Sequence, residues 1–191
     1  MRKLATITLL TSLLMLQGCA GLIVAGAVGG AVMLNDERSL KTQLDDTNAD
    51  FKIAAELDKH KDLKEHTHIR VITVNRKILV VGQSPNSQLR DKAIQIISKL
   101  KLGDKIYNQI RIGSPTGFTT RSNDTWITTK VKGRMLNQDG LDITRIKVVT
   151  ENGEVFLLGL IAENQADLAV DVARRTSGVR KVIKVFELTK D

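Results

Sequence analysis

The sequence has few of the residues that most structural and chemical sites need. It contains a single cysteine in 191 residues, so no disulfide can stabilise a small core within one chain. Aromatic residues make up 3% of the chain, which leaves its lysines and arginines without the stacking partners that nucleic-acid binding uses. There is no phosphate-binding loop, no pair of carboxylates in a cleft-like pattern and no Ser/His/Asp arrangement. The chain is therefore not expected to be an enzyme.

The N-terminus is organised as a secretory signal. Two basic residues, Arg2 and Lys3, precede an apolar run, Leu4 to Leu16, that is too short to cross a bilayer as a helix. The run ends in the string "LQGC", residues 16–19, which resembles the lipobox of bacterial lipoproteins. We therefore expect residues 1–18 to be removed. Cys19 would then carry a covalent diacylglycerol and an N-acyl lipid, and no other cofactor is expected.

The residues after Cys19 bear on where the protein resides. Ala20 is not the aspartate that retains bacterial lipoproteins at the inner membrane, so the predicted location is the outer membrane, facing the periplasm. The alternative is an uncleaved anchor that continues through Ala20 to Leu34, with Gly26, Gly29 and Gly30 at a helix-packing face. The formal net charge of +8 becomes +6 without the signal, and an exported protein with a basic excess meets anionic lipid more often than DNA.

The rest of the chain contains one unit of about 70 residues twice. Without a gap, "DTNADFKIAAEL" (46–57) aligns with "DTWITTKVKGRM" (124–135). After one-residue shifts, 69–83 aligns with 146–160 and 105–110 with 181–186. Each copy predicts a helix, two alternating strands, a second helix and a last strand. The predicted organisation is a lipidated N-terminus and linker at 19–45, a first domain at 46–113, a connector at 114–121 and a second domain at 122–191.

Local signals in the second unit support this order. Asp124 is a candidate N-cap of the first helix, and Asn152-Gly153 between two apolar runs predicts a tight hairpin. A second helix is expected at about 163–177, with Gly178 at its end. In the first unit, Ser84-Pro85 opens the corresponding helix. Gly82 and Gly159 are expected to allow close packing of a helix on the sheet or a bulge.

The residues that follow this pattern resemble the BON domain (bacterial OsmY and nodulation). They are Gly159 closing "EVFLLG", the Ala-rich helix "ADLAVDVA" and "SGVRKVIKVFEL" after it, and the first unit shares Gly82. The resemblance implies an α+β fold of two tandem domains, each αββαβ with a three-stranded mixed sheet covered by two helices. Two such domains behind a lipobox resemble lipoproteins that bind anionic phospholipid and support outer-membrane integrity.

The only tryptophan lies on the first helix of the second unit. At about 100° per residue, Ile127, Val131 and Met135 form the core stripe, and Trp126 falls on the opposite arc. At the outward positions the first unit has an ordinary solvated face, since Asn48 replaces Trp126 and Asp58 replaces Leu136. An apolar pair among cations suits a membrane interface. The predicted phospholipid-binding residues are Trp126, Lys130, Lys132, Gly133, Arg134 and Leu136.

Two other interpretations remain open from the sequence. Trp126 could instead pack between the two units or against the connector near Phe118. In function, the runner-up is an adaptor or chaperone-like module that binds other envelope proteins. The histidines His60, His66 and His68 are more consistent with a solvated loop than with a metal site, and Asp45 and Asp46 with capping and solvent contact.

Overall fold

The computed structural model describes residues 40–189, and both copies of the repeat lie in this range. The first copy contains α1 (Leu40–Asp58), α2 (Lys61–His66), β1 (His68–Val74), β2 (Lys77–Ser84), α3 (Ser87–Leu100) and β3 (Lys105–Ile112). The second contains α4 (Phe118–Leu136), a 3-10 turn (Ile143–Arg145), β4 (Lys147–Glu151), β5 (Glu154–Ile161), α5 (Glu163–Arg174) and β6 (Lys181–Leu188). The predicted α+β order is confirmed in both copies, with the short helix α2 as an addition in the first.

Each copy forms one mixed three-stranded sheet. The strand orders are β1-β2-β3 and β4-β5-β6. In each sheet the first two strands pair antiparallel and the last two pair parallel. The parallel pair requires a crossover, and α3 and α5 are those crossovers.

The two hairpins close with two-residue turns of the same kind. Asn75 and Arg76 have φ of 48° and 60°, and Asn152 and Gly153 have φ of 49° and 71°. Positive φ at both central positions defines the type I′ turn, whose twist matches that of the flanking strands. The predicted hairpin at Asn152-Gly153 is therefore present, and Arg76 adopts the same conformation without a glycine.

The prediction that Asp124 caps a helix is wrong, because α4 begins six residues earlier at Phe118. Asp124 is buried in the middle of the helix, and its carboxylate accepts the backbone N–H groups of Asn152 at 2.6 Å and Gly153 at 2.8 Å. Asp46 does the same in the first copy, accepting from Asn75 at 2.6 Å and Arg76 at 2.9 Å. Asp46 is therefore not a solvent-facing residue, although Asp45 is exposed. In both copies a buried carboxylate ties the first helix to the hairpin turn.

Glycine is required at positions 82 and 159 by the backbone of a neighbouring segment and not by the packing of a helix. Their φ values are 125° and 153°, which side chains rarely adopt. A Cβ atom on Gly82 would lie 1.8 Å from the carbonyl oxygen of His68, and one on Gly159 would lie 2.1 Å from that of Arg145. The glycines thus allow close backbone approach at the start of the hairpin.

The outer face of each sheet is covered by the two long helices of its own copy. In the second copy the α4 residues Ile127, Val131 and Met135 are fully buried against the sheet and α5, as the helical periodicity predicts. Helix α5 ends at Arg174, three residues before the predicted end, and Gly178 follows in the turn with φ of 95°. The first copy has the equivalent core around Ile53, Leu57 and Val80.

The inner faces of the two sheets share a third apolar core. Its buried residues are Ile72, Val74, Leu79, Val81, Val149, Phe156, Leu158 and Val185. Burial on both faces explains why β2 and β5 contain the uninterrupted apolar runs "ILVV" and "VFLL". The two copies therefore pack sheet against sheet with helices outside.

Two ion pairs at the border of this interface are related by the repeat, with the positive and negative residues exchanged between the alignment positions. Lys77 lies 3.5 Å from Glu187, and Arg111 lies 2.8 Å from Glu154. In the repeat alignment Lys77 corresponds to Glu154 and Arg111 to Glu187. Pairing two first copies in the same geometry would place Lys77 beside Arg111, and pairing two second copies would place two glutamates together. The charges thus favour pairing of unlike copies.

Candidate functional site

The exposed face of helix α4 carries large apolar side chains among polar ones. The helix has 19 residues, so it is about 27 Å long. Trp126 is 60% exposed and Leu136 is 70% exposed. The alternative in which Trp126 packs between the two copies is therefore wrong, because the inner faces of the sheets form that contact.

One further residue belongs to this face and lies before Asp124, the predicted start of the helix. Phe118, at the first position of α4, is 79% exposed. It precedes Leu136 by 18 residues, which is about five helical turns, so the two side chains stand in line at opposite ends. Trp126 lies between them, rotated by about 80°. The exposed face therefore contains three large apolar side chains instead of two.

Gly133 has no side chain and lies between Trp126 and Leu136 on this face. A Cβ atom at Gly133 would have no neighbour within 4 Å, so the residue is not required by packing. It lies about a quarter of the way from Trp126 to Leu136 in angle and leaves space between them. A surface that approaches α4 could contact the helix backbone there.

The cations beside the face have two different roles. Lys130 Nζ donates to the carbonyl oxygen of Ser177 at 2.6 Å, and Arg134 NH1 donates to that of Arg175 at 2.6 Å. Both side chains therefore tie α4 to the turn that follows α5. Lys132 is exposed on the other side of the apolar line, and no contact is seen for its ammonium group among residues 40–189.

The turn after α5 extends the positive surface. Arg174 and Arg175 are exposed, and both contact the carboxylate of Asp171 at 2.8 Å. Two guanidinium groups share one carboxylate, which leaves one positive charge uncompensated. The flank of α4 that contains Lys130 and Arg134 is therefore more basic than the helix sequence alone indicates.

The outward side of α1, the equivalent helix of the first copy, is not an ordinary solvated face. Asn48 and Asp58 are exposed, as the alignment indicates, but so are two large apolar residues, Leu44 and Phe51. They are seven residues apart and lie nearly in line along α1. The sequence comparison missed them because their counterparts in the second copy, Ser122 and Thr129, are polar. What distinguishes α4 is its tryptophan and its charge, since α4 contains four cations and one carboxylate whereas α1 contains two cations and five carboxylates.

His68 is not in a solvated loop, contrary to the sequence interpretation. It begins β1 and is partly buried, with Nε2 at 3.9 Å from an oxygen of the buried Glu151 of the other copy. Burial lowers the pKa of His68, and the negative charge of Glu151 opposes that shift. Within residues 40–189 no three His, Cys, Asp or Glu side chains are close enough to hold a metal ion.

The predicted lipid attachment at Cys19 and the alternative anchor at Ala20–Leu34 lie outside the described residues. None of the helices between Leu40 and Thr189 is long and apolar enough to span a bilayer.

Two segments of the chain, residues 45–114 and 123–190, match the BON domain. The chain belongs to the BON-domain family. Its two BON domains correspond to the two copies of the repeat, here called BON domain 1 and BON domain 2. The resemblance inferred from Gly82, Gly159 and the Ala-rich helix is thus confirmed.

The relatives of this chain give the location. The chain is 36% identical over 187 residues to the outer membrane lipoprotein DolP of Haemophilus influenzae, an alignment that covers 98% of this chain and 96% of DolP. It is 42% identical over 151 residues to a 21 kDa hemolysin of Actinobacillus pleuropneumoniae, covering 79% and 78%. It is 26% identical to the osmotically-inducible protein Y of Escherichia coli, covering 73% and 70%. The chain is a DolP-like outer-membrane lipoprotein, which confirms the predicted location.

Proposed function

We propose that BON domain 2 binds anionic phospholipid through the exposed face of α4. The observation that carries the proposal is the exposure of Phe118, Trp126 and Leu136 within an arc of about 80° on a helix whose flanks are basic. A helix with an apolar face and cationic flanks lies in the interfacial plane of a membrane, with tryptophan at the level of the headgroups.

The energetics favour a contact that is weak alone. Full burial of one such side chain contributes about 1.5–3 kcal/mol, and an interfacial helix buries only part of each. Each cation near an anionic surface adds about 1 kcal/mol. Several kcal/mol in total correspond to affinities between about millimolar and micromolar.

A lipid on Cys19 would make this weak contact effective. Between Cys19 and Leu40 there are 21 peptide units, which cannot extend beyond about 75 Å. Tethers of this length hold a domain at an effective concentration of order mM near its target. The proposed lipid anchor therefore supplies proximity, and α4 supplies selectivity for anionic headgroups.

The proposed role is binding and not catalysis. BON domain 2 would hold the protein on the inner leaflet of the outer membrane, and BON domain 1, joined to it by the shared core, would be fixed in orientation relative to the lipid. Support of envelope integrity would follow from this placement. The name of the Haemophilus influenzae relative fits the location and says nothing of the ligand.

A pair of variants at equivalent positions tests the proposal. The chain from residue 19 with Cys19→Ala, which lacks both the signal and the lipid, is floated with vesicles of phosphatidylcholine alone or mixed with phosphatidylglycerol. Trp126→Glu replaces an interfacial side chain by a charge, and we expect at least tenfold weaker binding to the anionic vesicles. Asn48→Glu adds the same charge at the equivalent position of BON domain 1 and should bind as the parent does. Unchanged flotation of Trp126→Glu would refute the proposal.

A further inference from the structure

The first six residues of α4 have little packing of their own. None of residues 118–123 is buried, and the first buried residue of the helix is Asp124. The N-cap is Gly117, which has no side chain to accept a hydrogen bond from the N–H groups of the first turn. Packing of α4 on its sheet therefore begins roughly one and a half turns after the helix does, and the exposed Phe118 lies on the unpacked part.

A buried side chain of BON domain 1 holds the connector in front of this helix. Gln83, in β2, is 4% exposed, and its Oε1 accepts the backbone N–H of Thr116 at 3.0 Å and the hydroxyl of Thr116 at 3.1 Å. Within residues 40–189, Gln83 is the only residue outside α4 that forms a hydrogen bond with residues 114–117. Thr116 comes just before the N-cap, so this contact fixes the chain where the helix begins.

Glu151 of BON domain 2 fixes the direction of the Gln83 amide. Gln83 Nε2 donates to Glu151 Oε1 at 2.8 Å, and Glu151 is 5% exposed. An amide group has one accepting and one donating end, so a carboxylate at the donating end turns the carbonyl oxygen toward Thr116. One side chain thus joins a strand of each domain to the connector.

The repeat shows that the sheets themselves do not need this polar pair. In the alignment of 69–83 with 146–160, Gln83 corresponds to Leu160 and Glu151 to Val74, and both counterparts are apolar. Burial of an amide and a carboxylate costs free energy that their hydrogen bonds must offset. The pair lies where the first copy leads into α4, so its role concerns the connector and not the packing of the strands.

We propose that Gln83 is a positioning residue for the lipid-binding face, an inference that rests on the function proposed above for α4. By holding Thr116, Gln83 keeps residues 118–123 helical and places Phe118 on the same exposed arc as Trp126. Without this acceptor the first turns of α4 fray, because an uncapped helix end with no packed side chains has little to hold it. The part from Asp124 onward stays packed. BON domain 1 thereby contributes to lipid binding without contacting lipid.

Amide hydrogen exchange measured by NMR tests the positioning without lipid. The parent is the chain from residue 19 with Cys19→Ala, and Gln83→Leu introduces the residue that BON domain 2 has at this position. We expect the amides of residues 121–123 to exchange about tenfold faster in the variant, because local opening of the helix end becomes easier. The amides of residues 127–131 should change much less. Equal exchange at 121–123, or an increase of the same size in both ranges, would overturn the proposal.

Ser84→Ala is the matched control. Ser84 is also in β2 and is fully buried, but its hydroxyl donates to the carbonyl oxygen of Asn86 and not to the connector. The variant therefore loses a buried hydrogen bond next to Gln83 while the contact with Thr116 remains. Its amides at residues 121–123 should exchange as in the parent, and it should bind vesicles as the parent does.

Flotation with vesicles that contain phosphatidylglycerol tests the consequence for lipid. Gln83→Leu and Phe118→Ala should each bind roughly fivefold more weakly, because each removes one partly buried apolar side chain from the contact. The two changes together should bind no more weakly than Phe118→Ala alone. Gln83→Leu and Leu136→Ala should instead be additive, since Leu136 is at the other end of α4. Additive effects in both pairs would mean that Gln83 does not act through Phe118, and would overturn the proposal.

Trp126→Glu separates the two ways in which this account can fail. If Trp126→Glu loses binding while Gln83→Leu binds as the parent does, the positioning role is refuted and the proposed function stands. If both variants bind as the parent does, the lipid-binding face itself is refuted.

Discussion

The buried carboxylate of Asp124 is expected to contribute far more to the free energy of unfolding than the other polar side chains of α4. It accepts two backbone N–H groups of the β4–β5 turn, at 2.6 and 2.8 Å, and it is 4% exposed. Hydrogen bonds to a charged group contribute about 1.5–3 kcal/mol each, and removal of the acceptor leaves both donors without it, of which that of Gly153 is buried. Some of that loss is recovered when water enters the site. We therefore expect Asp124→Ala to lower the free energy of unfolding by about 3 kcal/mol.

Urea unfolding followed by circular dichroism measures this loss. For a unit of this size, about 3 kcal/mol corresponds to a fall in Tm of roughly 6–12 °C. Asp46→Ala should lose a similar amount, because Asp46 makes the same pair of bonds in BON domain 1. Asp45→Ala, at an exposed neighbouring position, should stay within about 0.5 kcal/mol of the parent. If Asp124→Ala matched Asp45→Ala, the carboxylate would not hold the turn and the reasoning would be refuted.

Three further predictions address the interface, the titration and the anchor. Lys77→Glu should destabilise the chain by about 0.5–1 kcal/mol, because it faces Glu187 at 3.5 Å, and Glu187→Lys in the same chain should restore the loss, measured by a double-mutant cycle in urea. The folded state holds the pKa of His68 below its usual value of about 6.5. The stability that neutral His68 contributes is therefore complete above about pH 6.5, and it is lost as the pH falls through the lower pKa of the folded state. His68→Gln should therefore lose less stability than the parent between pH 7.5 and 5, and equal losses would argue against this titration. Labelled palmitate should enter the protein through Cys19, and Cys19→Ala should abolish the label, whereas persistent label would favour a different attachment.

Periodicity and turn chemistry predicted the elements well because both are local. The stripe of Ile127, Val131 and Met135 is buried as expected, and Asn152-Gly153 forms the expected turn. The strands were predicted only as alternating, whereas "ILVV" and "VFLL" are uninterrupted apolar runs in strands buried on both faces. The second layer against each sheet is the other domain, which a pattern within one strand cannot specify.

The misplaced helix start has a physical reason. The first turns of α4, "FTTRSN", contain several residues of modest helix propensity, and Asp124 is the residue type found at N-caps. Its actual partners are 28 and 29 residues away, on a turn that only the folded structure brings near. Phe118 was missed for the same reason.

The central claim is that Trp126 contacts anionic lipid, and its emission spectrum tests this most directly. The chain has one tryptophan, so the signal reports that residue alone, and it is 60% exposed in the protein. We predict a blue shift when vesicles that contain phosphatidylglycerol are added to the Cys19→Ala chain, and no shift with phosphatidylcholine alone. An unchanged spectrum under conditions where the protein floats with the anionic vesicles would contradict the account.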